Sequence, residues 1–182
     1  SVQFSTGLKM DQERIGEFCK KHGILFCVDA IQSLGAMQFD VQQIQADFVM
    51  ADGHKWMLGP EGLAVFYSNP DARDRLHLNQ YGWHMVEAAG DFDRKDWSVA
   101  KSARRFECGS PNMLGIYALN ASLSLLLETV MNYIENEKKK VKSIIKNELK
   151  ISLIKDGLPL CFNIYVKIQV FLFEILSYLL CY

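Results

Sequence analysis

The chain has 182 residues, 49% apolar and 23% charged, with a formal net charge of -1 and a sequence pI near 6.4. That is long enough for one domain with a core and too apolar for global disorder. The balanced charge gives no whole-chain attraction to nucleic acid or acidic membranes, so a small-molecule or protein partner is expected.

The opening Ser1-Val2-Gln3-Phe4-Ser5-Thr6-Gly7 lacks the basic start and apolar block of a secretory signal, and it lacks an initiator methionine. Residues 10–22 carry Ile15, Phe18 and Cys19 at helical spacing, end in Lys20-Lys21-His22 and stop at Gly23, which predicts an amphipathic helix covering a sheet. The runs 24–28 and 46–50 are short and continuously apolar, the pattern of strands buried on both faces. Residues 41–45 form a short helical turn between them. Strand, crossover and strand imply a right-handed parallel unit, with both carboxyl ends on one sheet edge, where ligands bind.

Further along, 62–67 reads as another strand, and Ser68-Asn69-Pro70 turns into a helix over 71–76. Residues 82–98 have little periodicity and read as a surface loop. A long helix is expected over 113–137, with Leu114, Ala118, Ala121, Leu125 and Leu126 on one stripe and Pro111 before it. Lys138-Lys139-Lys140 then opens a lysine-rich stretch, and from Ile151 the chain becomes β-branched, aromatic and apolar.

Five cysteines at 19, 27, 108, 161 and 181 are odd in number and never closely paired, which favours isolated thiols in a reducing, cytoplasmic compartment. No metal-ligand cluster, serine triad, glycine-rich nucleotide loop or basic-aromatic surface emerges from the spacing.

Two predicted strand ends carry chemistry. Asp29 closes the first apolar run, and Asp52-Gly53-His54-Lys55 follows the second. Side by side, they deliver a carboxylate and an amine to one edge, a pairing that suits a cofactor with both a basic nitrogen and an aldehyde. A solvated lysine, with pKa near ~10.4, attacks an aldehyde slowly, whereas burial and neighbouring positive charge lower that value. The bland readings are a surface lysine at 55, a turn or capping aspartate at 29, and a backbone-satisfied histidine at 54.

The stretch 24–67, with Val28-Asp29, Gln32, the Asp52-Gly53-His54-Lys55 segment and Gly59-Pro60-Glu61-Gly62, closely resembles the cofactor-binding core of the class V aminotransferase family, which includes cysteine desulfurases. The resemblance implies an α/β fold, part of the large domain of the fold type I pyridoxal phosphate enzymes, with a mostly parallel sheet flanked by helices. It implies Lys55 as the Schiff-base lysine, Asp29 beside the pyridine nitrogen to make the ring an electron sink, Gln32 near the phenolic oxygen and His54 at the phosphate. Arg105-Phe106-Glu107-Cys108-Gly109-Ser110-Pro111-Asn112 resembles a second family signature, in which a hydroxyl at the Ser110 position reaches the phosphate of the partner subunit's cofactor; the parent is then a homodimer. An ordinary helix N-cap at Ser110, with Pro111 first in the helix, fits the same residues. Gln80-Tyr81-Gly82-Trp83 resembles an aromatic loop of some relatives. Cys108 reads as a packing residue, because the nucleophilic cysteine of desulfurases lies in a later segment.

The resemblance starts mid-domain and covers residues 1–137, so the chain reads as a fragment, with 138–182 as a divergent tail. Crossing a bilayer with the run 161–182 is unfavourable, since Lys167 and Glu174 would each cost about 3 kcal/mol at mid-membrane; an out-of-frame or read-through tail is preferred. The expectation is part of an enzyme acting on an amino acid, by transamination or desulfuration. The alternative is a non-enzymatic remnant that cannot hold the cofactor.

Overall fold

The computed structural model describes residues 1–128. The last part of the predicted helix over 113–137, the lysine-rich stretch and the apolar tail lie outside those residues.

Helix α1, Gln12–Lys21, starts where Asp11 Oδ1 accepts from the Arg14 N–H at 3.2 Å. It ends with Lys20 and Lys21 against the helix dipole and with Gly23 at φ +66°. The buried side of α1 is not the predicted one. Gly16 packs on the carbonyl of Ile44, so close that a Cβ there would lie 1.9 Å from the oxygen. Ile15 and Phe18 are 40% and 58% exposed. The side-chain stripe turned outward because contact runs through the smallest residue, which lets the two backbones meet.

Three strands follow: β1, Cys27–Asp29; β2, Phe48–Asp52; and β3, Ala64–Ser68. Strand β1 runs parallel to β2 with Asp29 opposite Met50, as expected, and β3 runs antiparallel to β2, giving a mixed sheet in the order β1-β2-β3. Asp47 ties the starts of β1 and β2, its Oδ2 accepting from the Phe26 N–H at 2.8 Å while its own N–H donates to the Phe26 carbonyl at 2.9 Å. The turn over 41–45 is present, closed by the Ile44 N–H on the Asp40 carbonyl at 3.2 Å.

One face of the sheet lines the core, and the other is covered only at the end where Phe48 and Ser68 are buried. Val28, Val49 and Ala51 point into a core with Ile44, Ala46, Met57 and Leu119, against which Val65 and Tyr67 pack. On the other face Cys27, Met50 and Phe66 are exposed. The continuous apolar runs therefore hide an alternation, because Cys27 and Met50 count as apolar yet lie on the open side. On that side Phe66 stacks on Phe48 and meets the edge of Phe106.

Helix α2, Pro70–Arg73, is shorter than predicted and is capped by Asn69. The loop over 82–98 is irregular, as expected, yet it is pinned by the buried Met85 and a bridge between Val86 and Val99. Helix α3, Met113–Glu128, buries Gly115, Leu119 and Ser122. The predicted stripe is the wrong side: Leu114 is 84% and Leu125 58% exposed. This helix is apolar on most sides, so periodicity could not select its face. Among the described residues no helix is long and apolar enough to cross a membrane.

Candidate functional site

Parallel pairing of β1 with β2 puts Asp29 and the Gly53-His54-Lys55 segment at the same sheet edge. After β1 the chain folds into a turn. The Ile31 N–H donates to Asp29 Oδ1 at 2.9 Å, and the N–H groups of Ser33 and Leu34 both donate to the Ala30 carbonyl at 2.9 Å. The capping role that an aspartate commonly plays after a strand is thus present, and it fixes the direction of the Asp29 carboxylate. Gln32 is half-buried in this turn, three residues on.

After β2 the chain makes a closed loop. The Gly53 N–H donates to the Leu63 carbonyl, and the Gly59 N–H to the Gly53 carbonyl, both at 2.8 Å; the Leu58 N–H donates to the Lys55 carbonyl at 3.1 Å. Lys55 is half-buried within this ring, and Met57 is 1% exposed beneath it. Leu58 takes φ +57°, an unusual backbone for a branched residue, as the loop turns toward Gly59.

Turn and loop touch through Gly35. At φ +88°, a Cβ on this residue would lie 2.4 Å from the Trp56 carbonyl oxygen and 2.9 Å from the Met57 nitrogen. Only a glycine lets the segment bearing Asp29 and Gln32 rest directly on the backbone next to Lys55. From below, Leu119 of α3 fills the space left by two more glycines: a Cβ at Gly59 would be 2.7 Å, and one at Gly53 3.3 Å, from its Cδ1. The loop is therefore clamped between the turn and α3. Leu119→Ala should lower stability by about 3 kcal/mol, read from urea unfolding, and speed hydrogen exchange at the Gly53 and Gly59 amides; unchanged exchange there would deny α3 its buttressing role.

His54 is exposed, with Nδ1 3.0 Å from Asp52 Oδ1, and this imidazole holds the Asp52 carboxyl below the usual carboxylate pKa. Ser110 is exposed on the segment before α3. It is not the cap of that helix. Asn112 is: its Oδ1 accepts from the Gly115 N–H at 3.0 Å, its side chain crowding the face where Gly115 has none.

Other charged residues are occupied structurally. Arg105 pairs with Asp74, Arg104 donates to the Val86 and Glu87 carbonyls at 2.8 Å, and Arg73 donates to Ser68 and to the Lys101 carbonyl. Partial burial, followed by the charge of Asp29, raises the Cys27 pKa, the opposite of an activated thiol. Half-buried Cys108 presents its carbonyl to Gly82, where a Cβ would be 2.0 Å away, in keeping with a packing role. Beside it, Tyr81 and Trp83 are 66% and 49% exposed.

Sequence reading missed Asp52, Gly35 and Leu119. Asp52 was visible two residues before His54, and the flanking Gly53 and Gly59 signalled a close approach without saying by what.

The Aminotransferase class-V family model matches residues 1–154. The chain belongs to the class V aminotransferase family. A probable cysteine desulfurase of Pyrococcus abyssi is 31% identical over 140 residues, covering 77% of this chain and 34% of that relative. The cysteine desulfurase IscS of Shewanella denitrificans is 41% identical over 81 residues, 44% of this chain and 20% of that one. Among solved structures, the apo cysteine desulfurase of Thermococcus onnurineus NA1 superposes with a TM-score of 0.72 at 29% identity, over 82% of this chain and 36% of its own. The chain spans about a third of the length of the Pyrococcus and Thermococcus proteins. The α/β architecture is that of part of the class V large domain.

The donors present fit the cofactor of that family at its ring end. A carboxylate of fixed direction and an amide lie on one segment and an amine on another, and the backbones of the two segments are in contact at one sheet edge.

Proposed function

We propose that Lys55 is the amine that bonds the aldehyde of pyridoxal phosphate, in an enzyme that acts on an amino acid by cysteine desulfurase-like or aminotransferase chemistry. Asp29 would hold the pyridine nitrogen protonated, Gln32 would donate to the phenolic oxygen, and His54 would contact the phosphate. When bound, the cofactor supplies the electron sink that stabilises negative charge at the substrate's α-carbon. The protein's part is to present the amine, fix the acid and orient the ring. Exposed Ser110 is assigned to the phosphate of a second subunit's cofactor, which makes the working form a homodimer. The odd number and wide spacing of the five cysteines are the ground for proposing a reducing, cytoplasmic setting.

One observation carries this reading: the backbone contact of Gly35 with Trp56, which fixes the turn bearing Asp29 and Gln32 against the loop of Lys55. Trapping tests it. The full chain is incubated with pyridoxal phosphate, reduced with borohydride and digested, and the modified lysine is located by mass spectrometry. Modification concentrated at Lys55 is the expected result. Modification spread over the surface lysines would overturn it and favour the alternative, a remnant that cannot hold the cofactor.

A further inference from the structure

We infer that Phe4 is a specificity-determining residue, an aromatic wall held at the edge of the candidate site to take an apolar side chain of the amino-acid substrate. This rests on the reading of Asp29 and Lys55 given above and names the substrate class for it.

Residues 1–10 fold into a small hairpin that is tied to the turn after β1. The Ser1 amino group donates to the Asp29 carbonyl at 2.8 Å, and the Ser33 hydroxyl lies 2.8 Å from that of Ser1. Val2 bridges Lys9, while the Met10 N–H donates to the Ser1 carbonyl and the Gln3 N–H to the Leu8 carbonyl, both at 2.9 Å. The hairpin therefore starts from the segment that bears Asp29 and Gln32. Three residues span at most about 11 Å, so the Phe4 backbone stays within that distance of Ser1. That reach is comparable with the combined length of the cofactor ring and an amino acid.

The tip of the hairpin is held by one side chain. Gln3 Oε1 accepts from the Thr6 N–H at 2.7 Å and from the hydroxyls of Ser5 and Thr6 at 2.8 Å. The Gly7 N–H donates to the Gln3 carbonyl at 2.8 Å, and Gly7 takes the left-handed φ of +68° that turns the chain back. Phe4 opens this ordered tip and is 81% exposed, so packing does not account for it. Ligand sites combine apolar or aromatic lining with a few placed polar groups. The turn of Asp29 and the loop of Lys55 supply the polar groups, and Phe4 supplies apolar surface beside them, ordered in advance of binding.

The test titrates reduced conjugates of pyridoxal phosphate with L-leucine and with L-aspartate into the full chain, read by ring fluorescence, so that binding needs neither turnover nor a bond to Lys55. The leucine conjugate should bind the wild type more tightly. Phe4→Ala should weaken it on the order of 10-fold and leave the aspartate conjugate unchanged, with Phe4→Leu keeping most of the preference. Gln3→Ala should also lose the preference and speed hydrogen exchange at the Thr6 amide, and Gln3→Glu, whose carboxylate still accepts, should restore both. Equal weakening of the two conjugates by Phe4→Ala, or of neither, would overturn the role of Phe4 and leave the cofactor reading standing. A freely exchanging Thr6 amide in the wild type would overturn it as well, without any ligand. Binding of neither conjugate to the wild type would overturn the cofactor reading and the substrate class with it.

Discussion

Replacing Gly35 with alanine should cost about 2–5 kcal/mol of folding stability, the sum of overpacking and a left-handed backbone penalty. The added carbon would meet the Trp56 carbonyl oxygen at 2.4 Å, and it would do so on a residue at φ +88°. The obstacle is backbone on a clamped loop, so no flexible side chain can swing aside to relieve it. Gly62→Ala provides the control. Gly62 also has a positive φ, +78°, but open space around its missing side chain, so it should lose only about 1–2 kcal/mol for conformation alone. Urea unfolding of both variants separates the two contributions. Near-equal losses would show that the close approach at Gly35 contributes nothing, and the contact between the Asp29 turn and the Lys55 loop would lose its significance. Where the alanine variant still folds, it should bind pyridoxal phosphate more weakly, because turn and loop can then coexist only by moving apart.

The elements that positioned the site were legible in the sequence because their signals are local. Asp29 and Lys55 each follow a short apolar run, and a strand that returns through a crossover has its carboxyl end on the same edge as the first. Lys20, Lys21 and Gly23 mark the end of α1 in the same readable way. Which face each helix buries was not legible. Glycine carries no hydrophobic signal, yet Gly16, Gly53 and Gly59 decide where α1 and α3 can approach. An apolar stripe such as Leu114, Ala118 and Leu125 then loses to a neighbour that allows closer contact. Asp47 was equally hidden. Its work is to bond a partner brought near by the fold, Phe26 from 21 positions away. Ser110 shows the opposite limit: Ser-Pro before a helix is a valid start signal, but Asn112, two residues later, had an equally suitable side chain and took the cap.

Lys55→Ala should abolish the absorbance band formed with pyridoxal phosphate, and Lys55→Arg should abolish it equally. The pair is informative because arginine keeps the positive charge and much of the stem but stays protonated and cannot attack an aldehyde. A band surviving in arginine but not in alanine would mean that charge attraction alone holds the ligand, and Lys55 would lose its covalent role. Neither change should lower stability by more than about 1 kcal/mol, since Lys55 is half-buried and outside the core. Asp29→Asn should behave differently again. The amide oxygen can still accept from the Ile31 N–H, so the turn persists. The band should therefore form, with its maximum displaced as the ring nitrogen loses its proton. An unshifted band would put the Asp29 carboxylate away from that nitrogen, and its work would then be confined to capping the turn.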